Sequence, residues 1–297
     1  MDAFWIILTG GLAGASCALV GTYLVLRKMA MLGDAISHAV LPGIAVAFLI
    51  TESRSSVPML LGAAVVGVLT AFLVETLHRR GRLQQDASIG VTFTWLFALG
   101  VIIISRYVHS VDLDQDCVLY GDIAYSSLHL VSFGSVLIPE SVQTLGGIFL
   151  LNLLFVVFGY KELKVTSFDP SLATALGISA TLWHYLLMGM VSLTTVGAFW
   201  SVGAILVVAM LVGPAATAWL LTDRLNRMLL YGVLIGFASS AGGYYLAAWL
   251  DGSIAGAMAV VSGVLFVLAL FFSPTHGVIS KRLRTKTDTR LAGVSAD

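Results

Sequence analysis

Residues 31–50 read MLGDAISHAVLPGIAVAFLI, apolar nearly throughout, yet they carry Asp34 and His38. The i, i+4 spacing puts both side chains on one face of a helix. Counted at about 1.5 Å per residue from Lys28, His38 falls near mid-membrane and Asp34 closer to one end. An ionised carboxylate at such depth is costly and either lines a polar pathway or pairs with a partner. Carboxylate oxygen with imidazole nitrogen is an ordinary ligand set for Mn²⁺, Fe²⁺ or Zn²⁺. Two ligands leave a site open; a twofold-related second chain would bring the number to four, on the axis where a translocation path would run. Spacing alone leaves two other readings, a structural Asp–His hydrogen bond joining helices and a proton relay. Pro42 and Gly43, one turn beyond His38, allow a bend that would free backbone carbonyls beside the pair, which suits a hinge or pathway.

These residues need a membrane-embedded scaffold, and the composition supplies one. The 297 residues are 58% hydrophobic and 11% charged, with a mean hydropathy of +0.96. Globular chains are about 25% charged, so this one reads as all-α, a polytopic transmembrane helix bundle. Sixteen basic residues balance sixteen acidic ones, which argues against a nucleic-acid partner. The N-terminal MDAFWIILTG has no basic n-region, so the first apolar run is expected to stay as a helix. Cys17 and Cys117 are too few for a disulfide scaffold or thiolate cage, and Cys17, among small residues, reads as a packed thiol.

Segments of about 20 apolar residues place spans near Trp5–Leu26, Met31–Ile50, Pro58–Leu77, Ile89–Ser105, Val142–Gly159, Thr181–Trp200, Ser201–Leu221, Leu229–Leu250 and Ala257–Phe272. Basic residues cluster at Arg27/Lys28, Arg79/Arg80/Arg82, Lys161/Lys164, Arg224/Arg227 and in the tail from Lys281 to Arg290. Two spans separate each cluster from the next, so all five can face the cytoplasm together. This pattern predicts about nine spans, with an external N-terminus and a cytoplasmic C-terminus; eight is the alternative if the first segment or the unbroken run after Trp183 is miscounted. Residues 1–280 form one membrane domain, and 281–297 a polar, basic tail suited to lipid headgroups. The 30 glycines report close helix packing. No G-x-x-x-x-G-K-[ST] loop occurs in the sequence, so nucleotide-driven transport would need a separate ATPase chain.

Two loops carry further candidates. Between Lys161 and the next span, Asp169 suits a helix N-cap, Pro170 the first helical position and Gly177 the end. A short helix of small residues there is either an ordinary connector or a docking element. The longest external segment holds Asp112, Asp114, Asp116 and Cys117, with Asp122 close behind. These acids are weak metal candidates, since an acidic run is usually a solvated loop. His109, His129 and His184 read as packed or solvated.

The stretch GDAISHAVLPGIAVAF closely resembles the signature of permease subunits of bacterial ABC importers for manganese, zinc and chelated iron. SFDPSLATALGIS (Ser167–Ser179) resembles that family's F-D-x-x-x-A-x-x-x-G loop, and VGAILVVAMLVGPAATAWLLTDRL (Val202–Leu225) its late helix ending in P-A-A-T-A. The likeness runs from about Ala13 to Phe272. It implies the ABC importer permease fold in a bacterial cytoplasmic (inner) membrane. It also implies a second permease chain, identical or paralogous, two cytoplasmic ATPase subunits and an extracytoplasmic metal-binding protein. In that family the residues matching Asp34 and His38 contact the metal. Phe168, Asp169, Ala173 and Gly177 would lie on the ATPase-coupling helix, near 168–177. The form DLD…CVLYGDIAY resembles manganese-type members more than zinc-type ones. The resemblance implies a transported divalent metal, Mn²⁺ favoured, no permanently bound cofactor and no enzymatic activity of the chain itself. A proton-coupled secondary metal transporter is the alternative. An intramembrane metalloenzyme would need a third ligand and a base, as in H-E-x-x-H, and the sequence has no such motif.

Overall fold

A computed structural model describes residues 2–51, 56–107, 123, 130–133, 136–273 and 277. In chain order the helices begin with α1 (Asp2–Leu26), α2 (Met31–Ala39), α3 (Leu41–Thr51), α4 (Ser56–Arg79) and α5 (Gln85–Tyr107). A hairpin of β1 (Leu130–Phe133) and β2 (Val136–Pro139) follows, and then α6 (Glu140–Phe158), α7 (Tyr160–Phe168) and α8 (Pro170–Ala175). The chain closes through α9 (Ala180–Val202), α10 (Ala204–Leu221), α11 (Leu225–Leu250) and α12 (Ile254–Phe272). Among the described residues nine stretches are long and apolar enough to cross a membrane, with α2 and α3 together making one of them. The unbroken run after Trp183 divides at Gly203, whose φ of +82° reverses the chain. A side chain there would pay the left-handed penalty that glycine escapes.

The bundle has an inner and an outer set of helices. More than half of α1, α2–α3, α9 and α10 is buried, whereas α4, α5, α6, α11 and α12 leave most of their surface open. α1 is the hub, packed against α6, α9, α10 and α11. Lipid gives apolar side chains little reason to meet, so close backbone approach must hold the helices together. A Cβ placed on Gly14 would lie 3.0 Å from the Gly236 Cα, which fixes the crossing of α1 with α11. Polar glue adds to it: the buried Asn152 on α6 donates to Thr194 Oγ1 on α9 (2.7 Å) and to the Ser16 carbonyl on α1 (3.3 Å). Cys17 is fully buried in this core.

One element departs from an all-helical chain. β1 and β2 pair antiparallel, Leu130 opposite Pro139 and Phe133 opposite Val136. The sequence LVSFGSVLIP carries the signal for it, since apolar and β-branched residues flank a Gly-Ser pair. It is too short to alter the membrane-spanning architecture.

Three of the basic clusters meet at one end of the bundle. Arg27 bonds to Thr166 and Ser167, and Tyr160 donates to the Asn226 side chain, bringing the Lys161 and Arg227 segments together. Ser273 donates to the Leu220 carbonyl, so α12 finishes at this same end.

Candidate functional site

Asp34 and His38 stand on one face of α2, with His38 Nε2 3.6 Å from Asp34 Oδ1. The His38 side chain is 42% exposed and that of Asp34 38%. A hydrogen bond joining two helices of this chain would be enclosed within the bundle. Instead the pair opens outwards while its neighbours Leu32, Ile36 and Ala39 are buried. Two rings of α5 frame the imidazole: Phe93 lies 6.1 Å away, tilted, and Phe97 6.2 Å away, edge-on. Sequence reasoning did not single them out, since aromatic residues one turn apart are common on any apolar helix. Among the described residues no group of three His, Cys, Asp or Glu side chains comes together.

The helix is interrupted just beyond the pair, close to Pro42 and Gly43. The segment read as one span from Met31 breaks at Val40 into α2 and α3. Val40 N still donates to the Ile36 carbonyl and its own carbonyl accepts from Ile44 N, both at 3.1 Å, so the break is a local irregularity. Pro42 has no N–H, and the carbonyl it would have bonded belongs to His38. α5 seats against this point, where a Cβ on Gly100 would lie 2.8 Å from Pro42 N. Gly43 serves a neighbouring contact: a Cβ on Gly62 of α4 would come 2.5 Å from the Gly43 carbonyl oxygen. Pro42 thus marks the break, while Gly43 lets α3 and α4 touch backbone to backbone.

At the basic end, α7 and α8 form an elbow. Asp169 Oδ1 accepts from Leu172 N at 2.9 Å and Pro170 occupies the first turn. Gly177 N donates to the Thr174 carbonyl (3.1 Å) and Ile178 N to that of Ala173 (2.9 Å), with Gly177 at φ +78°. This is a Schellman stop, whose 6→1 and 5→2 bonds satisfy the last carbonyls of α8. Of the small residues expected on the outer face, Ser171, Thr174 and Ala175 are exposed and Ala173 is not. Ala173 is fully buried, whereas Phe168, Leu172 and Leu176 stand out at 61%, 49% and 61% exposure. Leu172 and Leu176, four apart, lie on one face of α8 and its C-cap, and Phe168 is exposed on the other side of the Asp169 break.

A buried polar cluster behind the elbow was not legible in the sequence. Arg27, at the end of α1, donates through Nε to Ser167 Oγ and through a terminal nitrogen to Thr166 Oγ1, both at 3.0 Å. Its other terminal nitrogen lies 3.4 Å from His184 Nδ1, and His184 Nε2 lies 3.6 Å from Glu75 Oε2 on α4. Burial pulls the Arg27 guanidinium down to about 10, with Tyr23 and Glu75 acting against that. It therefore keeps its charge at neutral pH. Of the two readings for His184, packed or solvated, the structure has it packed, as part of this cluster. The external candidates Asp112, Asp114, Asp116, Cys117 and Asp122, the histidines 109 and 129, and the tail all lie outside the described residues.

The ABC 3 transport family matches residues 3–273. The chain is 54% identical to the manganese transport system membrane protein MntD of Bacillus subtilis, over 95% of each chain. It is 44% identical to the zinc transport system membrane protein TroD of Treponema pallidum, over 94% of this chain and 76% of that one. Among solved structures, PsaBC from Streptococcus pneumoniae in complex with Fab superposes with a TM-score of 0.76 at 31% identity, covering 92% of both chains. With nine candidate spans, the inner-membrane bundle and these likenesses agree: this multi-pass chain belongs to the ABC 3 transport family of permeases.

Proposed function

We propose that this permease moves Mn²⁺ into the cytoplasm through a pathway lined by Asp34 and His38, powered by ATP hydrolysed on a separate subunit. The single observation that carries the reading is the half-open Asp34–His38 pair at membrane depth. A carboxylate facing lipid would be prohibitive, so that face needs a polar lining or a second chain. A twofold copy brings four N and O ligands together, a hard and borderline set suited to Mn²⁺ and to its neighbours in the series. The membrane subunit similar to it at 54% identity is named for manganese, which supports the choice of metal.

The basic end belongs in the cytoplasm by the excess of Lys and Arg there, and the C-terminus with it. On that side the exposed Phe168, Leu172 and Leu176 offer an apolar docking face for an ATPase, while Asp169, Ala173 and Gly177 shape and seat it. An extracytoplasmic binding protein would load metal from the opposite side. The test is Mn²⁺ uptake by proteoliposomes holding the chain with its ATPase and a loaded binding protein. Uptake that requires ATP is expected. Uptake driven by a proton gradient without ATP would replace this reading with secondary transport.

A further inference from the structure

α8 is only six residues long, and Ala173 is its one buried side chain. A helix that short has little stability of its own, so its angle must be set by the segments on either side. Both segments end at Arg27. Thr166 and Ser167 precede the Asp169 cap, and His184 follows Ser179, the cap of α9. With the guanidinium donating to Nδ1, His184 carries its proton on Nε2, which faces Glu75 at 3.6 Å.

We propose that Arg27 is a positioning residue for energy coupling, holding both flanks of α8 from α1 and passing that hold to α4 through His184 and Glu75. The proposal rests on the reading of α8 as the ATPase-docking helix. A planar guanidinium directs its donors along fixed vectors, so three partners on two segments can be held only at one relative angle. Lysine would keep the charge but as a point on a flexible stem, losing the fork. The cluster also ties α8 to α4, which packs on both α2 and α3. A push on α8 therefore has a physical route to the helices that flank Asp34 and His38.

The experiment compares Arg27→Lys, Arg27→Gln and the milder Glu75→Gln in two preparations. In nanodiscs holding the chain alone, hydrogen exchange reads the amides of Leu172–Ile178. Loss of a charge-assisted hydrogen bond should speed them about tenfold in Arg27→Gln, and less in Arg27→Lys. The cores of α1 and α10 should exchange at the native rate. In proteoliposomes with the ATPase and binding protein, ATP hydrolysed per metal ion moved should rise severalfold per assembled complex. A merely structural residue would change the amount of assembled complex and leave that ratio alone. Native exchange and a native ratio in Arg27→Gln would overturn the proposal, and so would protection lost evenly through the bundle. If the native assembly shows no ATP-driven uptake, the coupling reading fails instead, and the exchange data alone decide whether Arg27 holds α8.

Discussion

Pro42 withholds from His38 the backbone hydrogen bond that a continuous helix would give it. The irregular turn at Val40 therefore adjoins the imidazole, and Gly100 of α5 is small enough to sit directly against it. Pro42→Ala restores the missing donor. We expect a continuous helix through Val40, stability raised by about 1 kcal/mol and slower metal uptake. Thermal melting and initial uptake rates measure the two effects. Native uptake in a stabilised Pro42→Ala chain would deny the break any part in transport.

The pair itself gives the most direct test. Asp34→Asn removes the charge with little change of shape, and His38→Ala removes the imidazole from between Phe93 and Phe97. Both side chains are half-exposed, so neither change should unfold the bundle. Metal uptake should fall at least about tenfold in each, since even outer-sphere partners of a metal are worth that much. The same variants should insert and assemble at native levels. A native rate in either would remove that residue from the pathway.

Much of this was written in the sequence, and the parts that were not share a cause. Spans follow from apolar length, and the caps Asp169 and Gly177 from local rules that need no tertiary knowledge. The Asp34–His38 pair stands out because polar residues are rare in such a helix. What escaped depends on which faces meet in space. Whether Ala173 points in or out is set by the packing of α7 and α9 around a short helix, and a six-residue segment has no periodicity to reveal it. Phe93 and Phe97 matter only because α5 lies beside α2. Arg27, Glu75 and His184 come from three helices distant in the chain, and their separate positions gave no sign of a cluster. Arg27 was read as one more positive charge at a membrane edge, although its guanidinium is mostly engaged inside the protein.

The elbow divides surface from support, and each part has its own variant. Leu172→Ser and Leu176→Ser alter only exposed side chains, so the chain should fold as before while docking to the ATPase weakens. Ala173→Leu forces a larger group into a closed space and should unseat α8. Gly177→Glu places a side chain at φ +78°, at a cost of about 1–2 kcal/mol. All four should lower substrate-stimulated ATP hydrolysis and uptake together. Co-purification of the ATPase separates them: the two serine variants lose the partner with α8 intact. Normal ATPase stimulation and normal uptake throughout would remove the coupling role.

Metal choice is where ligand chemistry makes the sharpest demand. Asp34 and His38 offer oxygen and nitrogen, and the buried Cys17 lies on α1, away from their turn. Such a set cannot favour Mn²⁺ over Zn²⁺ by affinity, because Mn²⁺ is the weakest binder of the first-row series. Weak binding nonetheless serves a pathway, since an ion must leave as readily as it enters. Zn²⁺ should therefore occupy the pair at least as tightly as Mn²⁺ yet cross slowly, acting as an inhibitor. Asp34→Cys supplies a softer ligand, and it should tighten Zn²⁺ binding while depressing Mn²⁺ uptake further. Uptake of Mn²⁺ alone and with added Zn²⁺, in native and Asp34→Cys chains, measures both effects. Brisk Zn²⁺ transport by the native chain would overturn the manganese assignment and leave the metal pathway through Asp34 and His38 standing.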